Sequence, residues 1–193
     1  MTQAEIHMTQ LYPRVALWCI AALTVLVFGA CTSGSKEAES PMTIQLTSDA
    51  FSDGQPIPPE YTCTGSNASP SLKWSGAPAV AKSFVVICED KDAPSGFIHW
   101  VVYDIPVSAT GLPKQLPTDQ SLDNGAKQGM NDYDRIGYAG PCPPVGTHRY
   151  VFHVYAADIL PDVIAPATGN DVDKAIKGHI LAQGQLIGTY KRP

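Results

Sequence analysis

From residue 42 onward the chain is a succession of short apolar runs, several of them alternating with polar residues, separated by turn-forming clusters. Thr43-Ile44-Gln45-Leu46-Thr47-Ser48 alternates with period two, the pattern of a half-buried strand. Asp53-Gly54-Gln55-Pro56-Ile57-Pro58-Pro59 is rich in turn formers, and Ser71 to Trp74 predicts a short strand that Gly76-Ala77-Pro78 ends. Three stronger strands follow, Ser83–Glu89, His99–Ile105 and Tyr150–Ala156, dense in Val, Ile and aromatic residues. The pattern changes only at the end. Val172, Ile176, Ile180 and Ile187 recur at helical spacing, with Asn170 or Asp171 available as N-cap, although Gly178 and Gly184 each weaken a helix. The expected architecture is mainly antiparallel β, two packed sheets with one late helix.

The first thirty residues follow a different rule. Val15 to Ala30 is almost wholly apolar, with Arg14 before it, and is shorter than a membrane span usually is. It runs into Phe28-Gly29-Ala30-Cys31, which resembles a bacterial lipobox with Phe28 at a position usually held by an aliphatic residue. The expectation is a lipoprotein signal peptide over 1–30, lipidation of Cys31, and a flexible polar tether over 31–41 leading to a domain over 42–193. Ordinary cleavage or a retained anchor helix are the alternatives. The implied location is the bacterial cell envelope, membrane-anchored and facing the extracytoplasmic side.

Removing residues 1–30 takes away one Glu and one Arg, so the net charge of −5 is unchanged, and no basic run is present. Nucleic acid is therefore not an expected partner. Beyond Cys31, Cys88 lies inside an apolar strand, whereas Cys63 and Cys142 both sit in Gly/Pro-rich loops of an exported chain. A Cys63–Cys142 disulfide is expected, against the alternative of two free surface thiols.

Two segments put ionisable groups at the ends of apolar strands: Glu89 to Trp100, and Gly137 to Tyr150. Each couples a Pro/Gly loop to a histidine that opens a strand. Alternation predicts His148 and Tyr150 on one face and Arg149 on the other; it also predicts His99 on a face with Val101 and Tyr103, with Trp100 pointing away. Asp90 and Asp92 could orient His99 and His148, and nearby carboxylates would favour the charged imidazoles. The pair could equally be a turn-forming pair. Arg149 is expected to meet an acid and hold its loop.

The chain here resembles the phosphatidylethanolamine-binding protein family, also called the Raf kinase inhibitor protein family, and most of all its bacterial branch. The carriers are Asp90-Lys91-Asp92-Ala93-Pro94, His99-Trp100, and Gly140-Pro141-Cys142-Pro143-Pro144 with Gly146-Thr147-His148-Arg149-Tyr150. Cys63-Thr64-Gly65, Asn67, Ser69-Pro70 and Trp74 support them. The resemblance implies a β-sandwich and an anion pocket built by Asp90, Asp92, Pro94, His99, Pro143, Pro144, His148 and Tyr150. It departs from the family's usual Asp-Pro-Asp at Lys91, which frees a backbone N–H and adds a charge at the mouth, and in the short Pro94–His99 linker carrying Phe97-Ile98. It implies no cofactor and no enzymatic activity: the expected ligand is a small anionic or phospholipid head group, bound more tightly in mild acid. A protein-partner role, with a kinase or protease, is also implied by the resemblance. The competing reading is a His-dependent hydrolase, a phosphodiesterase or esterase, although no Gly-x-Ser-x-Gly elbow and no His-x-x-x-His or Cys-x-x-Cys metal spacing occurs.

Overall fold

The computed structural model describes residues 41–193, so the expected signal peptide, Cys31 and all of the tether except Pro41 lie outside the described residues. Nine strands and one helix follow in order: β1 (Met42–Thr43), β2 (Gln45–Thr47), β3 (Leu72–Ser75), β4 (Ser83–Asp90), β5 (Phe97–Pro106), β6 (Gly111–Leu112), β7 (Lys127–Gln128), β8 (Thr147–Ala157), α1 (Gly169–Ile176) and β9 (Ile180–Lys191). They form a six-stranded sheet in the order β1-β9-β8-β4-β5-β7 and a three-stranded sheet in the order β2-β3-β6.

The main core lies between the sheets. Leu46, Leu72, Trp74 and Leu112 of the small sheet meet Phe84, Val86, Trp100, Val102 and Phe152 of the large one. The opposite face of the large sheet carries a second core, in which Val85, Ile87, Val101 and Tyr103 pack against Ala167, Val172 and Ile176 at the helix. Because both faces of β4 are covered, its side chains are buried nearly without interruption, which is why its sequence reads as a continuous apolar run. Each fully buried large apolar side chain contributes about 1.5–3 kcal/mol over leaving it exposed, so these two layers carry most of the driving force.

The period-two run at the domain's start does not form one strand. Met42–Thr43 pairs parallel to β9 in the large sheet, Ile44 N–H donates to the Gln183 carbonyl at 2.7 Å, and Gln45–Thr47 then joins β3 in the small sheet. The segment thus ties the two layers together.

The C-terminal expectation is half right. A helix forms, but it ends at Ile176, and Ile180 to Lys191 is the longest strand among the described residues, paired along its length with β8. Its N-cap is Thr168, not Asn170 or Asp171: the Thr168 hydroxyl accepts from the Asp171 N–H while the Asp171 carboxylate accepts from the Thr168 N–H, a reciprocal capping box. Gly178, at φ +85°, reverses the chain after the helix. Gly184, one of the two glycines that weaken a helix, suits this strand, as does Gly188, since a Cβ on Gly184 would collide with the Ile44 carbonyl and one on Gly188 with Ile57. Close backbone approach by the crossing N-terminal segment therefore overrides the helical spacing of Ile176, Ile180 and Ile187.

Candidate functional site

The site grows from one row of the large sheet. Asp90, the last residue of β4, pairs with Phe97 of β5 on one side and Tyr150 of β8 on the other. A register shift between Cys88 and Glu89 against β5 inserts one extra residue beside Cys88, so that Glu89 faces Ile98 while Cys88 faces Trp100. His99 is that extra residue. Its ring lies against Phe97, with centroids 5.1 Å apart, and edge-on against Tyr150 at 5.2 Å, while Ile98 packs with the opposite core. The bulge puts His99 on the Trp100 and Tyr150 side of the sheet, which corrects the alternation that grouped it with Val101 and Tyr103 and turned Trp100 away.

Alternation holds along β8. His148 and Tyr150 point into the site and Arg149 points out. His148 Nδ1 lies 2.7 Å from Asp90 Oδ2, with the two side chains 13% and 6% exposed. The other oxygen of Asp90 accepts from the backbone N–H groups of Asp92 and Ala93, at 2.9 and 3.1 Å. One buried carboxylate thus closes the turn after β4 and orients an imidazole, combining the two roles that the sequence left open for it.

Asp92 does something else. It accepts from the Arg149 backbone N–H at 2.7 Å and from two guanidinium nitrogens at 3.0 and 2.6 Å. Those bonds hold its carboxyl down to about 2. Asp92 therefore orients neither histidine; it clamps the two loops from outside, and it is the acid that Arg149 was expected to meet. Lys91 also faces away from the pocket: its ammonium pairs with Glu89, its charge adds to the burial that depresses His153, and its N–H is spent on the Arg149 carbonyl at 3.0 Å. Of the prolines, Pro143 is buried, and Pro94 and Pro144 are exposed in the loops that leave the site.

His99 is held by the backbone. Nδ1 lies 2.6 Å from the Ala139 carbonyl, so it is the donor and Nε2 carries the lone pair in the neutral ring. Burial pushes its pKa down from the usual imidazole value, outweighing the pull of the Ala139 carbonyl and the Asp90 charge. The expectation that carboxylates hold this ring charged is overturned here, because the ring is only 2% exposed and desolvation dominates. The sign of the pH effect follows. The unfolded chain takes up a proton near 6.5 that folded His99 and the similarly depressed, half-buried His153 refuse, so stability falls as pH drops through 6.5 toward the folded values. Denaturant midpoints are expected to fall between pH 7.5 and 5.0, a window in which Asp92 stays ionised, and the fall is expected to shrink in His99→Gln.

The carbonyl that holds His99 belongs to a stitched loop. Cys63 and Cys142 form a disulfide with Cα atoms 5.4 Å apart, Cys63 N–H donates to the Pro141 carbonyl at 3.1 Å, and Gly140 N–H donates to Asn67 Oδ1 at 2.7 Å. The Tyr138 hydroxyl adds a bond of 2.7 Å to the Tyr61 carbonyl. Cys88 is free and buried.

Two contributors were not expected from the sequence. Tyr133 stacks its edge on Phe97 and His99, at 4.7 and 5.7 Å, and Asp132 accepts the Ile98 N–H at 2.7 Å. An aromatic residue within the polar run Asn131 to Arg135 is the only signal that pointed to them. Among the described residues, no group of three or more His, Cys, Asp or Glu side chains is gathered for a metal ion.

The sequence profile of phosphatidylethanolamine-binding proteins matches residues 47–191. This chain belongs to the phosphatidylethanolamine-binding protein family. The UPF0098 protein of Methanothermobacter thermautotrophicus is 47% identical over 150 residues, which is 77% of this chain and 99% of that protein. The UPF0098 protein of Aquifex aeolicus is 45% identical over 153 residues, 77% and 89% of the two chains. Two crystal structures share the fold. A phosphatidylethanolamine-binding protein homologue of Chlamydia trachomatis gives a TM-score of 0.71 at 39% identity, covering 78% of this chain and 99% of that one. E. coli YbcL, a new member of the mammalian phosphatidylethanolamine-binding protein family, gives 0.73 at 34% identity with the same coverage. The two-sheet arrangement is thus a phosphatidylethanolamine-binding protein fold.

Proposed function

We propose that this family member is a lipid-anchored protein of the bacterial envelope that binds small phosphate-bearing anions or phospholipid head groups between His99, Asp90, His148 and Tyr150. The observation that carries the reading is the Tyr150 hydroxyl. It is shut off from solvent and makes no well-formed hydrogen bond, and burial, followed by the Asp90 carboxylate nearby, drives its pKa up. A buried O–H without an acceptor costs about 1–3 kcal/mol, a cost that an incoming anionic oxygen removes.

The remaining groups suit the same ligand. His148 spends Nδ1 on Asp90 and keeps Nε2, which donates to an anion when the ring is an imidazolium. Neutral His99 offers a lone pair that suits a phosphate P–OH or an ammonium. The aromatic rings of Phe97 and Tyr133 supply an apolar wall beside a cationic head group.

Titration with phosphorylethanolamine at pH 6 and pH 8, followed by the ring-proton resonances of His99 and His148, is expected to shift both. Tyr150→Phe removes a hydroxyl that makes no well-formed hydrogen bond in the free protein, so its stability is expected to be unchanged or higher while affinity falls roughly 10-fold or more. An absence of shifts at both pH values overturns the binding reading. Undiminished affinity in Tyr150→Phe overturns the role given to that hydroxyl. The anchor is tested separately by the intact mass of the native protein, which is expected to carry lipid on Cys31.

A further inference from the structure

The exposed apolar side chains are distributed unevenly along the large sheet. Pro106, Ser83, Ala157 and Ile180 stand in register across β5, β4, β8 and β9 at one end, and Met42 of β1 pairs with Ala182 beside them. The site row, Phe97, Asp90, Tyr150 and Gly188, crosses the same strands at the other end. Seven residue steps along β4 separate the rows, about 23 Å at strand rise.

Four exposed apolar residues lie at the end opposite the site, in or next to β1, β4, β5 and β8. Val107 follows β5 directly and is 51% exposed, Val80 precedes β4 at 70%, Leu160 follows β8 at 62%, and Met42 opens the domain at 58%. Across four neighbouring strand spacings these span about 19 Å. Lys82 and Asp158 lie exposed or half-exposed at the same end, with Asp158 paired to His179, so charge there is mixed rather than of one sign.

Met42 is also where the preceding segment enters the domain. We infer that this end, formed by Met42, Val80, Val107 and Leu160, rests on the bilayer that holds the lipid on Cys31, and that the His148–Asp90 site therefore faces away from that membrane. This rests on the lipid-anchor part of the proposed function. Eleven residues from Cys31 to Pro41 can reach at most about 40 Å. Four side chains are a weak membrane contact for a free protein. A tether this short holds them at roughly millimolar effective concentration at the surface, where weak insertion of apolar side chains suffices. The orientation has a consequence for the ligand: it comes from solution or from a facing surface rather than from the anchoring leaflet.

The test uses the full chain, purified in its native processed form and returned to phosphatidylcholine vesicles carrying a nitroxide on the head group. Fluorophores are placed singly at Val107→Cys, Leu160→Cys and, at the site end, Val145→Cys, which replaces a residue 78% exposed. Labels at 107 and 160 are expected to be quenched several-fold more than the label at 145. In Val80→Glu/Met42→Glu the protein is expected to float with the vesicles still, while that contrast disappears. Flotation with equal quenching, or with stronger quenching at 145, overturns the orientation and leaves the anchor standing. Failure to float overturns both.

Discussion

Replacing Cys63 and Cys142 by serine is expected to lower the stability of the domain by about 4 kcal/mol. The bridge closes a loop of 79 residues, and in the chain-entropy account a closure of that length removes about 4–5 kcal/mol of unfolded-state freedom. For a domain of this size the loss corresponds to a fall in Tm of roughly 10 °C, read by thermal or denaturant unfolding of oxidised and serine-substituted protein. The effect is expected to reach the site. Cys142 lies three residues from Ala139, whose carbonyl fixes the His99 ring, and the bonds from Gly140 to Asn67 and from Cys63 to Pro141 share the same junction. Amide exchange at Ala139 and Gly140 is therefore expected to quicken more than exchange in β4. A loss below about 1 kcal/mol would show that the hydrogen-bonded junction suffices without the sulfurs.

The parts of this molecule that were legible in its sequence are those decided locally. Runs such as Ser83–Glu89 and Tyr150–Ala156 carry enough β-branched and aromatic residues to name their own structure, and Cys63 and Cys142 stood out because both lay in loops. The spacing of His148, Arg149 and Tyr150 on a regular strand told which would share a face. Non-local decisions were not legible. The fate of Ile180–Lys191 depended on whether the N-terminal segment would cross it closely enough to need Gly184, and a helical spacing of isoleucines carries no information about that crossing. The face taken by His99 depended on a one-residue bulge against β4. The split of work between Asp90 and Asp92 was hidden as well, since both stand in one short turn. Only the register with β8, which sets Asp90 opposite Tyr150, puts Asp92 beside Arg149 rather than beside an imidazole.

That division makes Asp90→Asn the most discriminating substitution at the site. Asparagine keeps the size of the side chain and an oxygen that can still accept from the Asp92 and Ala93 N–H groups, so the turn survives. The second position becomes an NH2 donor facing His148 Nδ1, which lies 2.7 Å from Asp90 Oδ2 in the native protein. Two donors cannot share that contact, so His148 must present a lone pair at Nδ1, and the carboxylate that supports an imidazolium is gone. That tautomer still donates from Nε2, so the anion keeps its donor but loses the charge assistance, a difference of about 1–1.5 kcal/mol, and affinity for phosphorylethanolamine is expected to fall roughly 10-fold at pH 6. The matching change at the outer clamp, Asp92→Asn, is expected to disturb the loops without that loss, because Asp92 meets Arg149 and neither histidine. Calorimetric titration of the two variants side by side separates them. Equal losses would mean that the loops, rather than the Asp90–His148 pair, carry recognition. A selective loss in Asp90→Asn, with the His148 ring resonances changed in the free protein, would assign recognition of the anion to the buried pair.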